Sequence, residues 1–114
     1  MASIETQEMG LKQELTTHYY KASYDQIKAL YLEILEDMKQ KVVYINDEYC
    51  EIFSEIFTMS VTAKIIMQTP IETSIDFFVN CESLFGKTKA TKFISEVYRR
   101  IEMKYPLKGL GLHK

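Results

Sequence analysis

Apolar side chains recur every three or four residues along much of the chain, the spacing that predicts amphipathic helices. The clearest example begins at Ser23, which forms a capping-box pattern with Gln26. The apolar stripe that follows consists of Tyr24, Ile27, Leu30, Tyr31, Ile34, Leu35 and Met38. The pattern therefore predicts a helix that packs this stripe onto the core.

The stretch over residues 69–103 predicts two further helices joined by one tight turn. Thr69 and Glu72 have capping-box spacing, and Pro70 occupies the first helical position, which suits its fixed φ. Gly86 fits the turn between the two helices, because glycine takes a left-handed φ without a steric penalty. The residues predicted to face inward are Ile71, Ile75, Phe77, Phe78, Val79, Cys81, Leu84 and Phe85 in the first helix and Ala90, Phe93, Ile94, Val97, Tyr98 and Ile101 in the second. This antiparallel pair is the expected hub of the fold.

Weaker patterns occupy the remaining segments. Helices are predicted over about Lys12–Tyr20 and from Asn46 onward. The second of these carries the stripe Tyr49, Ile52, Phe53, Ile56 and Phe57. Between them, residues 42–45 are β-branched or aromatic and favour a strand. Because no second strand is evident to pair with it, we interpret this segment as an apolar connector pressed onto the core.

Composition agrees with a helical interpretation. Only 4 glycines and 2 prolines in 114 residues leave little room for hairpins or long loops. We therefore predict an all-α fold, a compact bundle of about five helices. It forms a single helical domain over residues 1–114, with mobile ends near residues 1–10 and 107–114.

The chain carries no sign of export or membrane insertion. No apolar run approaches the ~20 residues that a membrane-spanning helix needs. Residues 1–10 lack the basic start and apolar centre of a signal peptide, so we expect a cytoplasmic protein. Cys50 and Cys81 lie far apart without metal-ligand spacing, and this predicts two reduced thiols in the core.

Charge is distributed unevenly along the chain. Residues 1–85 carry 6 Lys and Arg against 14 Asp and Glu, whereas residues 86–114 carry 8 against 2. The net charge of −2 thus combines an acidic body with a basic C-terminal segment. Such a segment could face an anionic partner such as RNA, or the two charged faces could simply be solvated.

Catalytic, metal and cofactor patterns are not evident, and we expect no enzyme activity, metal or cofactor. The triplet at residues 86–88 resembles the end of a phosphate-binding loop. The position five residues earlier, which should be glycine, is Cys81. The 2 histidines form no pair with zinc-ligand spacing.

Several short motifs of residues 70–101 resemble the C-terminal helical hairpin of the NusB family of transcription antitermination factors. They are Pro70, Ile75-Asp76, Phe85-Gly86 and the run Lys92-Phe93-Ile94-Ser95-Glu96-Val97, with weaker similarity at Ala29-Leu30-Tyr31 and Asp47-Glu48-Tyr49. The resemblance implies an all-helical bundle that binds boxA-type RNA together with a small ribosomal protein. The arginines of that family's first helix are absent here, so RNA contacts would fall to basic residues of the last predicted helix. These candidates are Lys87, Lys89, Lys92, Arg99 and Arg100.

The alternative is a small helical protein-binding or inhibitor module of the kind carried by phages or mobile elements. Its candidate contact residues are the acidic side chains Glu33, Glu36 and Asp37, which would occupy a basic site on a partner. The expected partners are thus RNA or a protein of the transcription machinery, without a membrane, and a homodimer is a further option. An enzyme is the third and least supported interpretation.

Overall fold

The structure, a computed structural model, describes residues 2–5, 17–56, 58–82 and 86–110. Within these ranges the chain forms an antiparallel sheet and two helices. The elements in chain order are β1 (Ala2–Glu5), β2 (His18–Tyr20), α1 (Tyr24–Asp37), β3 (Lys41–Asn46), β4 (Glu51–Ile56), β5 (Met59–Thr69), β6 (Glu72–Cys81), α2 (Gly86–Glu102) and β7 (Leu107–Leu110). The fold class is therefore α+β.

Strand β6 is the centre of the sheet. The strands follow the order β3-β4-β5-β6-β2-β7, and β1 pairs with β6 on the same side as β2. The β5–β6 pairing runs from Met59 opposite Cys81 to Thr69 opposite Glu72, with one irregularity near Met67. Because β6 is paired along most of both edges, most of its backbone donors and acceptors are satisfied inside the protein.

Both helices pack against one face of the sheet. The buried residues of β4 and β5 alternate along each strand, and so do those of β6 apart from Ser74, so nearly all of them lie on a single face. Phe77 of β6 lies at the centre of this face. Its ring is 5.7 Å from that of Tyr31 on α1 and 5.3 Å from that of Tyr98 on α2, measured between centroids. The Tyr98 hydroxyl also donates to the carbonyl of Ile75 at 3.0 Å, which fixes α2 on β6.

The predicted all-α bundle of about five helices is wrong, because most of residues 51–81 form β-strands. Helix and strand are hardest to distinguish by sequence in β6, where the same apolar residues fit both the helical period and the strand period. Ile75 and Val79 are four residues apart, which is about one helical turn and also two strand repeats. Phe77 and Phe78 distinguish the two, since Phe77 is 1% exposed and Phe78 is 41% exposed on the opposite face. The prediction that Phe78 faces the core is therefore wrong.

Two predicted helix starts are turns between strands. The Thr69 hydroxyl accepts a hydrogen bond from the N–H of Ile71 at 3.2 Å in the β5–β6 turn. The Asn46 side chain likewise accepts from the N–H of Tyr49 at 3.2 Å in the β3–β4 turn. Threonine and asparagine side chains support turns by the same local bonding that caps helices. The first helix of the predicted hub and the helix after Asn46 are thus corrected to β6 and β4.

The predictions for the remaining segments are partly wrong and partly fall outside the described residues. His18–Tyr20 is strand β2 rather than the end of a helix, and residues 12–16 of that predicted helix lie outside the described residues. Residues 41–46 are a strand exposed at the sheet edge, so the buried connector is also wrong. Phe57, Leu84 and Phe85 lie outside the described residues. The mobility of residues 1–10 and 107–114 stays a prediction, and the described parts of those segments are β1 and β7.

Helices α1 and α2 confirm the patterns that predicted them. The capping box between Ser23 and Gln26 is present, with both of its hydrogen bonds formed. Ile27, Tyr31, Ile34 and Leu35 of the predicted α1 stripe are buried, and its other residues pack partly against the core. All six residues predicted to face inward on α2 are buried.

Replacing Phe77 with alanine tests the strand at this position. Phe77→Ala should lower the free energy of unfolding by about 3–5 kcal/mol, because it leaves a cavity between β6 and both helices. Phe78→Ala is the matched control and should cost less than about 1 kcal/mol, because its ring is exposed on the other face. Urea unfolding measures both values, and equal losses would contradict strand geometry here.

Candidate functional site

Strand β3 is an edge of the sheet with an unusually apolar exposed surface. Among the described residues it pairs with β4 alone, so its other edge presents free backbone donors and acceptors. The exposed fractions of its four central residues are 37% for Val42, 56% for Val43, 54% for Tyr44 and 36% for Ile45. Four consecutive exposed apolar residues on an open edge form a surface suited to pairing with another strand.

The end of α1 sets where β3 begins. The N–H of Lys39 donates to the carbonyl of Glu36 at 3.0 Å, and the N–H of Gln40 donates to that of Leu35 at 2.8 Å. Lys39 has a φ of 61°, the left-handed value that this helix-ending motif requires. The buried Gln40 side chain then accepts a hydrogen bond from the Ser54 hydroxyl at 2.9 Å, which holds the start of β3 on β4.

The opposite end of β3 is fastened to α1. The Lys28 ammonium lies 2.8 Å from a carboxylate oxygen of Asp47, the first residue of the β3–β4 turn. The hydrogen bond that the Lys28 ammonium donates to this carboxylate is the main reason that the pKa of Lys28 is raised. Cys50 closes the turn with a φ of 58° and its carbonyl accepts from the N–H of Ile65 at 3.0 Å. The edge strand is therefore held at both ends.

We call the sheet face opposite the helices the open face. A row of mostly aromatic side chains crosses it, beginning on β3. Tyr44, Phe53, Thr62 and Phe78 lie opposite one another on β3, β4, β5 and β6. The Tyr44 and Phe53 rings are stacked with centroids 5.7 Å apart. This row extends the apolar surface of the edge strand onto the open face.

Charged residues border the aromatic row. On one side Lys41 lies opposite Glu55. On the other, Glu51, Lys64 and Asp76 follow one another across three strands. Opposite charges on facing positions support the strand pairing, and they make the rim of the open face polar.

The two ends of β3 carry opposite charge. Lys39 and Lys41 are exposed at its start, and Asp47 and Glu48 are exposed just after its end. The edge strand is thus apolar in the middle, basic at one end and acidic at the other. A strand paired along β3 would therefore contact basic residues at one end, apolar residues in the middle and acidic residues at the other end.

The basic residues predicted to bind RNA all lie on α2, but they do not form one free cationic surface. Lys87, Lys89 and Lys92 are exposed in its first half. Arg99 donates to Glu96 at 2.6 Å, and Arg100 donates to the same carboxylate at 2.6 Å. These hydrogen bonds, that from Arg99 first, lower the pKa of Glu96 to about 2. The two arginines therefore share one carboxylate.

The acidic residues predicted to bind a partner lie on α1. Glu33, Glu36 and Asp37 are all exposed. Asp37 lies 3.8 Å from Arg100 of α2, so the predicted acidic and basic surfaces meet and offset each other there. Neither set includes a residue of β3. The β-branched and aromatic residues Val42–Ile45 indicated a strand in the sequence. The edge strand was nevertheless not predicted, because its partner β4 was predicted to be a helix.

The remaining chemistry points to no reactive centre in the described residues. No group of three or more potential metal ligands occurs among them. Cys50 and Cys81 are free thiols, and Cys81 is buried whereas Cys50 is partly exposed. Neither helix of the described chain is long and apolar enough to cross a membrane.

Glu96 should make stability depend on acid pH. Its folded pKa of about 2 is below the ordinary 4.5, so its bonds stabilise the fold above about pH 4.5. This contribution is lost as the pH falls towards about 2. We expect wild type to exceed Glu96→Gln by up to about 1 kcal/mol in unfolding free energy near neutral pH, and by less in acid. The exposed Glu33→Gln is the control. A difference that grows on acidification would contradict the ion-pair geometry.

Comparisons with known proteins return no relative. No protein-family model, no curated protein and no solved structure gives a significant match to this chain. The NusB resemblance is therefore not tested by any relative, and the helical bundle that it implied is not the fold. The features of this chain that bear on function are therefore the edge strand and the surfaces around it.

Proposed function

We propose that this protein is a non-enzymatic protein-binding module that adds an extended segment of a partner to its sheet at β3. The observation that carries the proposal is the run of four exposed apolar residues, Val42–Ile45, on an edge strand. Proteins usually protect such an edge with charges, proline or a covering element. On β3 the protection is limited to Lys41 and to a bulge at Val43. An edge of this kind favours recognition by strand addition.

The chemistry of the partner follows from the surface of β3. Main-chain hydrogen bonds to the free edge would supply affinity without regard to sequence. Selectivity would come from the ends, where Lys39 and Lys41 are exposed at the start of the strand and Glu48 is exposed after it, beside the Asp47 that Lys28 already engages. An antiparallel partner therefore needs basic residues at its N-terminal end, apolar residues in the middle and acidic residues at its C-terminal end.

The earlier candidate surfaces receive less support from the geometry. RNA binding through Lys87, Lys89, Lys92, Arg99 and Arg100 stays a prediction. Of these five residues, the last two are engaged by Glu96. Protein binding through Glu33, Glu36 and Asp37 also stays a prediction. Asp37 already has Arg100 beside it, which weakens an acidic surface that would have to attract a basic partner.

A designed peptide tests strand addition without knowledge of the natural partner. The probe is a fluorescent peptide of about ten residues, enough to span the strand, with lysines at its N-terminal end, alternating valine and threonine, and glutamates at its C-terminal end. We expect fluorescence anisotropy to show saturable binding, because main-chain hydrogen bonds to the edge supply affinity. Val43→Lys should weaken binding about tenfold or more, because it places a charge in the apolar centre of the edge.

Two controls distinguish strand pairing from non-specific binding. A peptide with the terminal charges exchanged should bind more weakly to the same edge. Met103→Lys also replaces an exposed apolar side chain with lysine, but beyond the end of α2, and it should leave peptide binding unchanged. Equal binding by wild type and Val43→Lys, or no binding by a chain shown to be monomeric, would contradict the proposal.

A further inference from the structure

We infer that the strand added to β3 is β3 of a second copy of this chain, paired antiparallel about a two-fold axis between Val43 and Tyr44. The inference rests on the proposed function, since it names the partner of the same edge. In this register Val43 lies opposite Tyr44 of the second copy, and Val42 lies opposite Ile45 of the second copy. Self-pairing of this kind gives a closed dimer in which each chain presents the same surface.

The first support is that side chains opposite each other across the axis point to the same side of the sheet. Val42 pairs with Ser54 and Ile45 pairs with Ile52 in β4, so both side chains point to the face that carries the helices. Their meeting across the axis joins apolar surface to apolar surface on the side of the sheet that carries the helices in both copies. Lys41 lies on the open face, and in this register it is opposite Asn46 of the second copy, which is on the open face as well.

The bulge makes this register selective. It inserts Val43 as an extra residue between Val42 and Tyr44, so the alternation of faces shifts in the middle of the strand. A slip of one residue would set Val42 opposite Tyr44 or Asn46 of the second copy, which puts a helix-side residue against an open-face residue. Such a slip is strongly disfavoured in a sheet with one buried face. The two-fold axis between Val43 and Tyr44 avoids this conflict.

The second support is the charge order along the edge. The chosen register brings Lys39 opposite Glu48 of the second copy, and symmetry repeats this pair at the other end of the strand. Both residues are exposed, so each is available to a partner. Lys41 faces an asparagine rather than another lysine, so no like charges meet directly. The basic start and the acidic end of β3 are therefore complementary to those of a second copy.

Helix α1 adds surface beside the same edge. Lys28 reaches Asp47 after β3, so this side of α1 faces the edge strand. Leu32 lies one turn further along the same side of the helix, and it is only partly buried. Its spacing of four residues from Lys28 places Leu32 on the side of α1 that faces the edge strand. The contact thus extends beyond the backbone of a single strand.

Sedimentation equilibrium of the full chain tests the self-pairing. Wild type should show twice the mass of one chain at about 100 µM, in the range expected of a modest interface. Val43→Lys should weaken dimerisation about tenfold or more, and Met103→Lys should leave it unchanged. A monomer at every concentration up to about 1 mM, or a dimer insensitive to Val43→Lys, overturns the inference.

A charge exchange tests the register itself. Lys39→Glu and Glu48→Lys should each weaken the dimer about tenfold, because each turns two attractive pairs into repulsive ones. The double variant should recover most of the wild-type affinity, since it restores both pairs with their signs exchanged. Single variants without effect, or a double variant weaker than either, overturn the proposed register.

The outcomes also separate this inference from the proposed function. If the chain stays monomeric but binds the designed peptide at β3, the proposed function holds and the self-pairing is wrong. If the chain neither self-associates nor binds the peptide, both proposals are wrong. In a dimer that depends on Val43, the peptide should compete with the second copy and lower the average mass.

Discussion

The structure depends on the backbone ladder that pairs β6 along both of its edges. Strand β5 accompanies it over ten residue pairs on one side, while β1 and β2 share the other side. This pairing fixes which side chains of β6 point towards the helices, and Phe77 then receives the rings of α1 and α2. Every other element takes its position from this strand, because both helices and all remaining strands attach to it directly or through a neighbour.

An open sheet built outward from a central strand must end in edges. At one end β3 receives no cover from α1, which lies above the sheet and is joined to the β3–β4 turn by Lys28 and Asp47. The helix therefore fixes the edge strand without hiding it. The exposed Val42–Ile45 run and the aromatic row of the open face then meet at one border of the molecule. This conjunction distinguishes the surface that the described residues form.

Sequence reasoning identified the two helices because their signals are local. The capping box at Ser23 and the stripes of α1 and α2 lie within single segments, and tertiary contacts leave them unchanged. The strands were missed because their signals depend on partners distant in sequence. Ile75 and Val79 satisfy both periods, and Thr69 and Asn46 cap turns with the bonds expected of helix starts. The candidate site was visible as a β-branched run, yet its exposure follows only from the strand order.

Hydrogen exchange followed by mass spectrometry or NMR at several protein concentrations tests the central claim most directly. If β6 is the hub and β3 an open edge that self-pairs, the amides of β6 exchange slowest at every concentration. The outward amides of β3 then exchange quickly in dilute solution and become protected as the concentration rises. Fast exchange throughout residues 72–81, or protection of β3 that does not change with concentration, would contradict this account.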